Sequence, residues 1–211
     1  MRRRQATFLA LLFGLAAQAG AASVEALVQN PGRLPVADAA VVLMPLSPLQ
    51  PKNRPAATIE QRGKEFLPYV TIVQTGTAID FPNNDTTKHH VYSFSPSKQF
   101  EIKLYAGNPG QPVVFDKPGE VVIGCNIHDW MEAYVLVVDT PYFAKTTADG
   151  RAVIANVPAG RYRLQLWHPL QKAVQAPSEI EVGNSPVRLK LALDVKPREH
   201  KPRTDGDPDH Y

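Results

Sequence analysis

The 211-residue chain contains a single cysteine, Cys125. A disulfide within the chain is therefore impossible, and iron–sulfur ligation or c-type haem attachment would need further cysteines. Aromatic residues are scarce, at 8%. The 44% hydrophobic and 20% charged residues still describe one or two ordinary compact cores, and neither a disordered nor a membrane-embedded chain. Long helices are excluded by 20 prolines that recur every ten residues or so after Ala22, because each removes a backbone donor and clashes with the preceding turn. No long apolar run exists either. The longest, Ala6–Ala17, is too short to span a bilayer.

Excess charge is missing as well. The formal +3 comes from Arg2, Arg3 and Arg4, and beyond Ala22 the remaining 20 basic residues face 20 acidic ones. A nucleic-acid partner and long-range electrostatic steering are therefore not expected. The three arginines, the apolar run and the small residues Ala17, Ala19, Ala21 and Ala22 have the layout of a signal peptide, expected over 1–22 with cleavage after Ala19 or Ala22. The expected location is periplasmic or secreted, without stable membrane insertion. An unpaired thiol outside the cytoplasm is an oxidation liability, so Cys125 is expected to be buried or bound.

What is present reads as β structure. Short apolar or alternating stretches occur at Val24–Val28, Ala40–Met44, Tyr69–Val73, Val91–Phe94, Val113–Phe115 and Val121–Ile123. They continue at Ala133–Val138, Ala152–Ile154, Tyr162–Trp167, Ile180–Val182 and Val187–Leu193. Turn clusters such as Asn83-Asn84-Asp85, Asn108-Pro109-Gly110 and Asp149-Gly150 separate them. The fold class is all-β, a sandwich or barrel. The proline-rich Leu46–Pro55 reads as a crossing loop, and 196–211 as a disordered, solvated tail.

One constellation carries chemistry. Cys125, His128 and Met131 follow one another at intervals of three between two expected strands, and His89-His90 lies upstream at a strand start. Two imidazoles, a thiolate and a thioether form the donor set of a blue-copper site. Zinc more often takes four Cys and His ligands, and a Cys–His nucleophilic pair would leave Met131 without a role. A buried core cysteine with incidental neighbours is the plain alternative. Adjacent strand residues face opposite ways, so His89 and His90 are not expected to reach one metal together. His168 is expected at the surface, and Asp129 and Glu132 at the rim of the ligand loop.

The strings Phe81–Val91 and Cys125-x-x-His128-x-x-Met131, followed by Tyr134–Val138, resemble a cupredoxin with the short amicyanin-like ligand loop. The whole chain is similar to secreted proteins of the methylamine-utilization type, a label that does not establish a role in amine metabolism. The resemblance implies a Greek-key β-sandwich holding one type 1 copper ion. It assigns His89, Cys125, His128 and Met131 as metal ligands, and it implies a one-electron carrier, not an enzyme. A redox partner protein would dock near His128 and Trp130. Copper storage, sensing or delivery is the alternative role. Cupredoxins commonly place Asn after the upstream histidine to tie the ligand segments; this chain has His90 there.

Leu27–Pro45 and Thr146–Trp167 together resemble a second, transthyretin-like or carboxypeptidase regulatory-like β-sandwich. The expected organisation is a split sandwich of 23–50 and 141–195 with the cupredoxin unit, 57–140, inserted between the pieces.

Overall fold

The computed structural model describes residues 21–47 and 55–199. Among them there is no helix. The expected crossing loop falls largely, and the expected leader almost wholly, outside the described residues; Ala21 and Ala22 are within them and open the first strand.

Two strands come first, β1 (Ala21–Gln29) and β2 (Ala40–Pro45). The middle of the chain forms β3 (Ala57–Thr58), β4 (Glu60–Gln61), β5 (Phe66–Leu67), β6 (Val70–Gln74) and β7 (Thr77–Asp80). It continues with β8 (His89–Ser95), β9 (Lys98–Tyr105), β10 (Val113–Phe115), β11 (Gly119–Gly124) and β12 (Glu132–Val138). The chain then adds β13 (Phe143–Lys145), β14 (Arg151–Pro158), β15 (Gly160–Trp167), β16 (Ser178–Val182) and β17 (Val187–Ala192).

The first two strands pair with the last five. One sheet has the order β14-β1-β17, with β1 antiparallel to β14 and parallel to β17. The other has the order β13-β2-β15-β16. Between them lies a core that includes Val24, Val28, Val41, Leu43, Ile154, Tyr162 and Leu164. The alternation in β1 puts Val24, Ala26 and Val28 inward, and burying a Val or Leu contributes about 1.5–3 kcal/mol.

The middle strands form sheets β10-β7-β3 and β6-β12-β11-β8-β9, plus the small β4-β5 ladder. Their core holds Ile59, Phe66, Phe81, Val91, Phe115, Val121, Ile123, Val135 and Cys125. β12 is buried on both faces. Ala133, Val135 and Val137 enter this core, while Leu136 and Val138 join Val42, Trp167, Tyr69 and Val70 in a third apolar cluster. β2 divides its residues the same way: Val41 and Leu43 belong to the first core, Ala40 and Val42 to the third cluster. The unbroken apolar runs of both strands follow from this double burial. Polar contacts cross the same junction. Trp167 Nε1 donates to Glu120 Oε2 at 3.1 Å and Lys145 Nζ to the Val70 carbonyl at 2.8 Å.

Past β17, the Lys196 amide donates to the Leu170 carbonyl, and the Arg198 guanidinium lies 3.7 Å from the Tyr69 ring centroid. Residues 200–211 lie outside the described part of the expected tail. His168 departs from expectation. It is buried, its Nδ1 accepts the Leu170 N–H at 3.0 Å, and burial depresses its pKa. The segment before β2 covers a residue that the local sequence leaves at an edge: the His168 imidazole meets the Ala37 backbone and lies near Asp38.

The Asp149-Gly150 turn closes tightly on β1. Gly150 has φ +75°, and an added Cβ would sit 2.5 Å from the Val28 carbonyl oxygen. Gly150→Ala should cost the left-handed penalty of about 1–2 kcal/mol plus displacement of β1. Gly110, with φ +88° but open space around it, should cost only the first. Thermal melting of the two variants decides this; equal losses would contradict the close approach.

Candidate metal centre

The site forms at one end of the five-stranded sheet. β11 and β12 are antiparallel, with Gly124 opposite Glu132, so the seven residues Cys125–Met131 form the loop that joins them. Gly124 also pairs with Tyr92 of β8. Following that antiparallel register carries Cys125 past Val91 toward His89 at the start of β8. The Tyr92 side chain lies over this crossing, and a Cβ on residue 124 would sit 2.9 Å from the end of its ring and push it aside.

His89, Cys125 and His128 converge, with one donor atom of each within 4.8 Å of the others. His89 Nδ1 is 3.2 Å from His128 Nδ1, and Cys125 Sγ is 3.7 Å from the same His128 nitrogen. The site is dry: His89 is 0%, Cys125 3%, His128 8% and Met131 2% exposed. Met131 packs in the same core as Cys125, and its amide donates to the His128 carbonyl at 2.9 Å, which tightens the loop.

A metal fits these donors. Nitrogens about 2.0–2.1 Å and a sulfur about 2.3 Å from a common ion stand roughly 3.3 Å (N to N) and 3.6 Å (N to S) apart at tetrahedral angles. Both spacings match the separations in the structure. The chemistry of the set, two imidazoles with a thiolate and a nearby thioether, suits copper better than a hard cation.

His90 points elsewhere. Its Nε2 meets Glu101 Oε1 at 2.9 Å, while its Nδ1 is buried without a hydrogen-bond partner. The two histidines have different partners, in a ladder that shifts register between His89 and Val91: His89 joins Cys125, and His90 meets Glu101.

Sequence reading missed the supports. Asp85 Oδ2 lies 2.8 Å from His89 Nε2. Its carboxylate also accepts the amides of Gly63 at 2.6 Å and Lys64 at 2.8 Å. Burial alone would raise the Asp85 pKa, but the Lys64 N–H, His89 and the Gly63 N–H together hold it below the usual carboxylate range. Asn83 braces the same segment, donating to the carbonyls of Thr87 and Tyr105, both at 2.9 Å, while its Oδ1 accepts the Asp85 N–H. Tyr105, paired to His89 across the ladder, is pushed up to about 12 by burial and stays a neutral phenol; it donates to the Phe81 carbonyl and accepts from Gln61 Nε2.

Trp130 is half-buried, with its ring centroid 5.0 Å from that of His128 and its Nε1 donating to the Lys64 carbonyl at 3.1 Å. Asp129 and Glu132, with Tyr92, Phe94, Val122, Cys125 and Met131 among their neighbours, line an open groove of about 600 Å³ beside the loop.

No protein-family model and no curated protein matches the sequence. Solved structures are similar to part of it. A copper-containing nitrite reductase from Thermus scotoductus SA-01 aligns at 22% identity and a TM-score of 0.39, over 46% of this chain. The match spans only about a quarter (26%) of that enzyme. A purple cupredoxin from Nitrosopumilus maritimus aligns at 20% identity and TM-score 0.35, over 38% of this chain and 98% of that one. An oxidized amicyanin variant aligns at 17% identity and TM-score 0.34, over 39% and 81%.

The separation of the two histidines is testable. His89→Ala should lose high-affinity copper binding, whereas His90→Ala should retain it, as read by competition titration of each purified variant. The opposite pattern would reverse the assignment.

Proposed function

We propose that the protein is an exported cupredoxin-like one-electron carrier whose single type 1 copper ion is held by His89, Cys125, His128 and Met131. The observation that carries this reading is the convergence of two imidazoles and a thiol inside an apolar core. When bound, copper supplies the one-electron change between Cu(I) and Cu(II). The chain's own contribution is to gather the donors beforehand and to keep water out. Cys125 leaves β11 with its sulfur already facing His128, so little rearrangement is needed around either oxidation state. Met131 offers a weak, neutral thioether from the far end of the same loop. His128 is the less buried of the two imidazoles and the one beside Trp130, which makes it the exit nearest a partner.

The Arg2–Arg4 and Ala6–Ala17 pattern supports export. Ala21 and Ala22 pair with Pro158 and Val157, so cleavage after Ala19 leaves β1 whole where cleavage after Ala22 would shorten it.

Copper titration of protein recovered from the periplasmic fraction tests the reading. An intense visible thiolate-to-Cu(II) band at one equivalent is expected. Tight Cu(I) binding without that band would mean storage or delivery instead, and failure to bind would remove the copper role altogether.

We also propose that 57–140 is a unit inserted into a sandwich built from 23–50 and 141–195. The pairing of β1 and β2 with β13–β17, and not with β3–β12, supports this. Residues 57–138 alone should fold cooperatively and bind copper, while 141–195 should need the first two strands. A 141–195 fragment that is stable by itself would sink the insertion.

A further inference from the structure

The turn between β4 and β5 lies outside the ligand segments, yet both are hydrogen-bonded to it. Arg62 and Glu65 exchange backbone hydrogen bonds of 3.0 and 3.2 Å. The two residues between them have left-handed backbones, with φ +64° at Gly63 and +57° at Lys64. That is the signature of a tight type I′ hairpin turn. Its two successive amides, Gly63 and Lys64, aim at the Asp85 carboxylate. The Lys64 carbonyl, on the other side of the same residue, accepts the Trp130 indole N–H.

From this one turn, two arms run inward. The first passes through Asp85 Oδ2 to His89 Nε2 at 2.8 Å. The second passes through Trp130, whose ring packs against His128. An ionised carboxylate only accepts hydrogen bonds. A neutral His89 facing Asp85 must therefore carry its proton on Nε2, leaving the Nδ1 lone pair directed at His128 and Cys125. A partly buried carboxylate behind a ligating imidazole, as Asp85 is behind His89, also makes that imidazole a stronger donor.

We infer that Asp85 is a positioning residue that fixes the tautomer of His89, and that the Gly63-Lys64 turn ties the His89 and His128 segments together. The inference rests on the copper reading for its effect on affinity and potential, but the tautomer is a property of the metal-free protein.

Two measurements therefore test it separately. In metal-free wild-type protein, long-range ¹H–¹⁵N NMR should show His89 protonated at Nε2; protonation at Nδ1 would overturn the inference whatever any variant does. Asp85→Asn removes the charge while preserving size. It should mix the His89 tautomers, weaken Cu(II) binding by about ten- to a hundredfold, and raise the Cu(II)/Cu(I) potential. Glu179→Gln, at an exposed carboxylate of β16 paired with Arg161, should change none of these. Unchanged Cu(II) affinity and an unchanged tautomer in Asp85→Asn would defeat the inference while leaving a coloured wild-type site intact. A wild-type protein without the thiolate-to-copper band would defeat the copper reading, and the tautomer would still decide the role of Asp85.

Discussion

Two imidazoles and a thiol sit inside an apolar core, and most of the local architecture answers to that burial. An unpartnered buried polar group costs about 1–3 kcal/mol, so each donor or acceptor placed there demands another behind it. His89 has Asp85, Asp85 has two amides of a turn, and Asn83 secures the backbone on either side of them. Tyr105 and Gln61 Nε2 both donate to the Phe81 carbonyl and are joined to each other, while Gln61 Oε1 is buried without a partner. The polar network ends at backbone groups of turns and strand ends. Rigid donors on a β scaffold are what a centre with little reorganisation requires.

The two sheets built from β1, β2 and β13–β17 do comparable work at longer range. The outer face of β6 and β12 is apolar, and left bare it would be a hydrophobic sheet surface of the kind that promotes association. Val42, Trp167 and Phe143 cover it. Because β12 begins at the end of the ligand loop, the packing of Leu136 and Val138 against the other unit also anchors the strand from which Met131 departs. Charged groups stand at the margin of this junction: the Glu120 carboxylate accepts from Trp167, the Lys145 ammonium donates to the Val70 carbonyl, and Arg198 lies over the Tyr69 ring.

Each apolar stretch read from the sequence overlaps a strand, because period-two alternation and continuous apolar runs report burial directly. β9 is absent from the sequence reading although Phe100, Ile102 and Leu104 alternate with Glu101 and Lys103; in the structure Phe100 and Ile102 pack against the core, while Leu104, beside the register shift of the β8–β9 ladder, is exposed. β7 and the short β3, β4 and β5 carry too few residues for any period to register. At the site, the spacing of Cys125, His128 and Met131 is visible because one loop contains all three; different partners for His89 and His90 accord with strand alternation, but the register shift between His89 and Val91 has no sign in the sequence. Asp85 was read only as part of a turn. Its partners lie 21 and 22 residues upstream, and no local pattern announces a contact made between two loops. His168 is misplaced for the same reason, since its imidazole meets the Ala37 backbone and lies near Asp38, about 130 residues earlier in the sequence.

The parallel pairing of β1 with β17 has a consequence for how the protein reaches its native state. Glu25 and Arg188, neighbours in that ladder, are 163 residues apart in sequence. Closing so long a loop from an unstructured chain carries a high entropic cost, and such distant pairings slow folding. The intervening strands β3–β12 pair among themselves, and once folded they bring Pro45 and Phe143 into neighbouring strands of one sheet. Their formation converts most of that loop into a short effective connection. The amino-terminal strand is thus the first made and among the last seated, and until β14 and β17 emerge its two edges stay open to any other strand that passes.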